Sequence, residues 1–223
     1  MKKNKFCLPL HSVSKEYFYT LLENNKSIFY YFEIWLEYLP FLTDAEIEGL
    51  ACEYKDRIIF NVRKFDFSSV SKRYNEIINK VIQCNCLIDL DFLKQQDLIR
   101  GLKKEIIKKN IILSFHDYEK TLNEAELLEV INKISAESPY IIKVSCLTHC
   151  SEDAVKLLNI GLKLKSQKLK CIVLGMGEHG VVTRTFGTKW YNEFVYCKLP
   201  GTTGSAPGQV TRDEVLLTLD YKE

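Results

Sequence analysis

Eight short runs dense in apolar and β-branched residues punctuate the chain: Phe6–Leu10, Ile28–Leu36, Arg57–Val62, Cys86–Leu90, Ile111–Phe115, Tyr140–Ser145, Lys170–Leu174 and Phe194–Cys197. Between them, apolar residues recur at helical spacing in Asp44–Tyr54, Tyr74–Ile82, Leu93–Lys109, Glu124–Ile134, Glu152–Leu164 and Asp213–Leu219. Thr43, Asn123 and Ser151 stand where N-caps belong, and Glu46 and Glu126 follow the first two at capping-box distance. Strand–helix alternation of this kind predicts a parallel sheet. Eight units close a barrel, whereas an open doubly wound sheet has fewer strands and a glycine-rich first turn, absent here. Gly175-Met176-Gly177-Glu178-His179-Gly180 has the outline of such a turn, but it follows the seventh run without an acidic partner. The expectation is an α/β protein, a single (β/α)8 TIM barrel over residues 1–223.

Strands buried on both faces should read as continuous apolar runs, so polar residues inside them need a reason. They fall at alternate positions: Glu33, Trp35 and Glu37 in the second run, Asn61 and Arg63 in the third, Asp89 and Asp91 in the fourth. With the apolar side facing the helices, these side chains point into the barrel, toward the strand carboxyl ends where barrel active sites lie. His116 ends the fifth run and Lys143 lies inside the sixth, 27 residues later. One βαβ unit separates them, so their strands should be neighbours about 4.8 Å apart, and an imidazole and an amine can meet. A buried Lys needs a partner or loses its charge. Burial and neighbouring cations favour a neutral amine, which attacks ketones to form a Schiff base, and a nearby His can move the protons.

Composition narrows the partners. With 31 Lys+Arg against 29 Asp+Glu the net charge is +2, too balanced for nucleic-acid binding. No apolar stretch approaches the ~18 residues of a membrane span. Lys2, Lys3 and Lys5 precede an apolar run too short for a signal peptide and interrupted by Pro9, so a cytoplasmic protein is expected. The eight cysteines lack paired zinc knuckles and mostly lie in apolar runs, which reads as buried free thiols. His11, His149 and His179 have no metal-site spacing, and no metal is expected. Trp190-Tyr191 and Phe29–Phe32 read as core or subunit contact, and a homodimer is the expected assembly. Seven of the ten glycines fall between 175 and 208, with Pro200 and Pro207, which places the flexible loops after the last two strands.

Five blocks, in order, resemble the signature segments of the type I 3-dehydroquinate dehydratase family. They are Asp89-Leu90-Asp91, Ile111-Ile112-Leu113-Ser114-Phe115-His116-Asp117, Ile142-Lys143-Val144, Gly175-Met176-Gly177 with Thr183-Arg184, and Ser205-Ala206-Pro207-Gly208-Gln209. The likeness runs along nearly the whole chain. It implies β-elimination of water from 3-dehydroquinate, a shikimate-pathway step, without metal or organic cofactor. Lys143 would form the imine and His116 would act as general acid and base. Arg184 would hold the substrate carboxylate, Ser205 and Gln209 would close over the substrate, and Glu33 and Arg63 would bind its hydroxyls. The chain departs from the family twice. Glu33-Ile34-Trp35 has Trp where the family has Arg, and Arg63-Lys64-Phe65-Asp66-Phe67-Ser68 has Phe67 where the family has the Glu that orients the histidine. Asp66 or Asp91 could supply that carboxylate instead. The departures keep open an impaired, binding-only relative and a different Schiff-base lyase such as an aldolase.

Overall fold

A computed structural model describes residues 6–10, 14–36, 41–61 and 76–219. The strands are β1 (Phe6–Leu10), β2 (Tyr31–Trp35), β3 (Ile58–Asn61), β4 (Leu87–Asp91), β5 (Ile111–Asp117), β6 (Ile141–Leu147), β7 (Cys171–Met176) and β8 (Val195–Tyr196). The helices are α1 (Lys15–Asn25), α2 (Asp44–Tyr54), α3 (described over 76–83), α4 (Gln96–Gly101), α5 (Lys104–Asn110), α6 (Glu124–Ala136), α7 (Ser151–Ser166), α8 (Val181–Trp190) and α9 (Arg212–Leu219). The strands pair in parallel in the order β7-β6-β5-β4-β3-β2-β1-β8. The two ends of that order meet at a parallel Cys171–Asn192 bridge. There the Glu193 N–H donates to the Cys171 carbonyl at 3.0 Å, and the Val173 N–H donates to the Asn192 side-chain oxygen at 2.8 Å. The sheet is therefore a nearly closed barrel, the expected (β/α)8 architecture.

Period-two alternation sorts the strand residues into two apolar sets. Outward-facing Leu8, Phe32, Ile34, Phe60, Leu113 and Val144 share one core with helix residues such as Ile47, Leu127 and Leu157. Inward-facing Tyr31, Ile59, Leu87, Ile112, Ile141 and Ile172 fill the barrel. Both capping boxes form as the sequence predicts, Thr43 with Glu46 and Asn123 with Glu126.

Four details differ from the sequence expectation. The Leu93–Lys109 segment splits into α4 and α5, because Leu102 and Lys103 adopt extended conformations after Gly101. Cys150 takes the N-cap position of α7 without a side-chain cap, and Ser151 is the first helical residue. Two helices were not signalled. In α1 only Phe18, Leu22 and Asn25 are buried, too sparse an apolar stripe to read. In α8 β-branched residues and Gly187 give low helix propensity, and packing against β7 and α7 overrides it. All cysteines are free, but not all are buried. Cys84 and Cys150 are half-buried and Cys52 is exposed, because α2 turns Ile47, Leu50, Ala51 and Tyr54 to the core and Cys52 to solvent.

Candidate active site

Two residues beyond the inner apolar ring, toward the strand carboxyl ends, the barrel lining turns polar. Glu33, Asn61, Asp89, Ser114 and Lys143 occupy that level, all buried. Register places Asn61 beside Asp89 and Ser114 beside Lys143. The Lys143 amine lies 2.6 Å from Asp89 Oδ2, 3.0 Å from the Tyr196 hydroxyl and 3.6 Å from Glu33 Oε1. It also sits 4.2 Å from the centroid of the Tyr196 ring. Of the two outcomes open to a buried lysine, a partner or a lost charge, the structure shows partners: two carboxylates and a phenol. A buried ammonium is tolerated only when so paired.

His116 stands one layer higher on β5, opposite Ser145 of β6. Its Nδ1 is 3.7 Å from Asp91 Oδ2, and its ring stacks on Tyr118 at 5.9 Å. The other Asp91 oxygen accepts the backbone N–H groups of Leu93 and Lys94, each at 3.0 Å, which fixes the carboxylate at the end of β4. Burial pushes the Asp91 carboxyl up. The His116 imidazole 3.7 Å away, the hydrogen bond from the Lys94 backbone and the Lys94 charge outweigh burial and hold it below the usual carboxylate range. Of the two carboxylates considered for orienting His116, Asp91 is the one described beside it; Asp66 and Phe67 lie outside the described residues.

Glu33 accepts from the Trp35 indole N–H on one oxygen and from Asn61 Nδ2 at 3.2 Å on the other. An indole donor thus occupies a Glu33 oxygen at the position where a guanidinium was expected from the family resemblance. Arg63 lies outside the described residues.

Arg184 projects from α8 and is 1% exposed. Its Nη2 reaches the Pro207 carbonyl only at 3.4 Å, its Nε has no partner, and it forms no ion pair with any described residue. Burial lowers its pKa to about 10, so it remains a cation at neutral pH. The loop holding Ser205 and Gln209 is pinned by the Gly177 N–H, which donates to the Pro207 carbonyl at 3.1 Å. Gly208 adopts a φ of +72°, and a Cβ there would collide with the Gly177 carbonyl, so glycine is required at this crossing. Gln209 Oε1 accepts the Ser205 N–H at 2.7 Å and its hydroxyl at 3.2 Å, while the buried Nε2 has no partner.

Glu33, His116, Lys143, Arg184, Ser205 and Gln209 all line one cavity of about 270 Å³, with Trp35, Tyr118 and Tyr196 among its other walls. Six of the seven residues singled out in the sequence thus come together. Asp89 and Tyr196 were not singled out as site residues. The alternation does mark Asp89 as inward-facing, but nothing local marks its pairing with Lys143 across the barrel. Among the described residues no group of three or more His, Cys, Asp or Glu is placed to hold a metal ion, and no helix is long and apolar enough to cross a membrane.

A cavity that gathers Lys143, His116 and Arg184 at the carboxyl ends of a (β/α)8 barrel defines an enzyme of the barrel class. The family model "Type I 3-dehydroquinase" matches residues 6–223. The chain is 29% identical over 226 residues to the 3-dehydroquinate dehydratase of Methanocaldococcus jannaschii, covering 97% of this chain and 99% of that protein. It is 34% identical over 138 residues to a Methanococcus maripaludis protein of the same name, covering 60% of this chain and 61% of that one. Solved 3-dehydroquinate dehydratases share the fold. That of Geobacillus kaustophilus gives a TM-score of 0.81 at 17% identity, over 98% of this chain and 90% of that one. That of Aquifex aeolicus gives 0.78 at 20%, over 98% and 100%. The chain belongs to the type I 3-dehydroquinase family, whose members are hydro-lyases.

Proposed function

We propose that the chain dehydrates 3-dehydroquinate to 3-dehydroshikimate by β-elimination through an imine on Lys143. The observation that carries this reading is the donor surplus of the cavity. Lys143, Arg184 and Gln209 line one cavity, and Arg184 Nε and Gln209 Nε2 are buried without a hydrogen-bond partner among the described residues. Buried donors left unsatisfied are costly, and an oxygen-rich anion satisfies them. Arg184 binds the carboxylate, for which a guanidinium fork is shaped. Ser205 and Gln209 cover the substrate, and Glu33 and Arg63 take its hydroxyls.

Lys143 attacks the ring ketone and expels its oxygen as water, and the iminium acidifies the adjacent C–H. His116, held by Asp91, takes that proton and leaves an enamine. The protonated imidazole then gives its proton to the departing β-hydroxyl, the C–O bond breaks, and water hydrolyses the product imine. The reading includes a cytoplasmic homodimer working without metal or organic cofactor, as a single barrel over residues 1–223.

A second reading, an impaired relative or a lyase for another ketone, rests on Trp35, whose ring lines the cavity and whose N–H occupies Glu33. Incubation with 3-dehydroquinate, reduction with borohydride and peptide mass spectrometry separate the readings. The expected result is an adduct on Lys143 together with an enone absorbing in the ultraviolet, and neither with Lys143→Arg. Adduct without turnover favours the second reading, and no adduct on the wild-type protein defeats the imine.

A further inference from the structure

We propose that Tyr196 is a second catalytic proton-transfer group, serving the exchange of oxygen for nitrogen at Lys143 while His116 serves the carbon proton. This assignment rests on the imine chemistry proposed above and deepens it. The Lys143 amine lies between two oxygens of different character. Asp89 Oδ2, at 2.6 Å, belongs to a fully buried carboxylate that does not line the cavity and only accepts hydrogen bonds when ionised. The Tyr196 hydroxyl, at 3.0 Å, both donates and accepts, and Tyr196 does line the cavity, where an incoming carbonyl must approach. Its ring is held edge-on against Phe194 at 5.3 Å and is 5% exposed, so the hydroxyl is fixed in position. His116 sits one layer higher, in register with Ser145 rather than Lys143, with Nδ1 turned to Asp91.

Imine formation moves two protons from nitrogen to oxygen. Written from the ammonium that Asp89 pairs, the first passes from Nζ to the tyrosine oxygen as the phenolic proton passes to the carbonyl oxygen. The nitrogen lone pair so freed forms the C–N bond, giving a carbinolamine with a protonated nitrogen. The second proton follows the same route to the carbinolamine hydroxyl. The C–O bond then breaks, its electron pair leaves with water, the nitrogen lone pair makes C=N, and Tyr196 is regenerated. Direct transfer between N and O on one carbon needs a strained four-membered ring, whereas an intervening hydroxyl makes it six-membered. A positioned proton-transfer group of this kind contributes about 10²-fold or more.

The test is the rate of imine formation read apart from turnover. Tyr196→Phe removes one oxygen from a buried ring. It is expected to slow both borohydride-trapped adduct formation in rapid-quench experiments and ¹⁸O exchange from labelled water into the substrate ketone by about 10²-fold. Replacing Tyr196 with 3-fluorotyrosine keeps the size and makes the phenol more acidic. The alkaline limb of the trapping rate should then move to lower pH, a shift that a packing role would not produce and that decides the matter even if the Phe variant folds poorly. Trapping and exchange within about two-fold of wild type in a folded Tyr196→Phe protein, or an unmoved alkaline limb, overturns the assignment and leaves the imine intact. Absence of any adduct on the wild-type protein overturns both.

Discussion

Two levels of the barrel interior, two residues apart on the same strands, are built by one alternation and do opposite things. Tyr31, Ile59, Leu87, Ile112, Ile141 and Ile172 form a ring that is almost wholly apolar. One step toward the carboxyl ends, Glu33, Asn61, Asp89, Ser114 and Lys143 carry charge and amide or hydroxyl groups into equal burial. The lower ring gains from every side chain it removes from water, about 1.5–3 kcal/mol each. The upper level pays desolvation that its ion pairs only partly return, and with the cavity above it leaves Asn61 Oδ1, Arg184 Nε and Gln209 Nε2 without partners. Local stability is given up where chemistry is carried, at the end of the barrel where loops can reach it.

The sharpest way to break this contrast is to remove volume from the lower ring. Ile112→Ala should cost about 2–5 kcal/mol in denaturant unfolding while activity per folded molecule stays near wild type. Arg184→Met should behave inversely. Loss of a charged hydrogen-bonding partner should weaken binding of the carboxylate substrate by about 1.5–3 kcal/mol, read as KM or calorimetric affinity. The midpoint of unfolding should hold or rise, since a buried guanidinium with no ion pair among the described residues is replaced by an apolar chain. If Arg184→Met unfolds the protein as Ile112→Ala does, the upper level is core after all and the contrast fails.

Much of this layering was legible in the sequence, for reasons that particular residues make clear. Alternation places Glu33, Asn61, Asp89 and Lys143 inward without any knowledge of their contacts, because a strand has only two faces. The bounds of α2 are read without error because the Thr43–Glu46 box marks its start chemically. Pairings across the barrel are another matter. Asp89 and Tyr196 stand 54 and 53 residues from Lys143 and on strands that do not adjoin β6. Their meeting depends on side-chain reach and barrel curvature, neither of which has a period. Trp35 illustrates a second blind spot. As a residue type it reads as a lost cation, yet its indole N–H makes a contact to Glu33 that any donor at that position could make.

Below both levels in expected effect lies Asp91, whose influence on the proposed chemistry would run through His116. Asp91→Asn keeps an oxygen for the Leu93 and Lys94 N–H groups and removes the charge facing Nδ1. A roughly ten-fold fall in kcat with little change in KM is expected, about 1.4 kcal/mol of transition-state stabilisation. The pH dependence of stability gives an independent reading. The Asp91 carboxyl is held below its ordinary pKa, so its contribution is present above about pH 3.9, the unfolded value, and is lost as pH falls through the lower folded value. The variant should lack that acid-side loss, seen as a shallower decline of unfolding midpoint below about pH 3.9.

The smallest effect belongs to neither level and calibrates both. Asn123 caps α6, accepting the Glu126 N–H at 3.0 Å while Glu126 Oε2 accepts the Asn123 N–H at 3.1 Å. Helix α6 packs through Leu127, Ile131 and Ile134 into the outer core that also holds Ile142 and Val144, the neighbours of Lys143 in β6. If catalysis depended on the rigidity of everything that supports Lys143, loosening this cap would be felt in the reaction. If instead the chemistry is set by the direct partners of the amine and imidazole, Asn123→Ala should cost only about 1 kcal/mol, a drop of about 2–4 °C in Tm, and leave kcat/KM unchanged. A matching loss of kcat/KM at temperatures where the variant is fully folded would show that the outer shell, and not the polar level alone, holds the reacting groups in place.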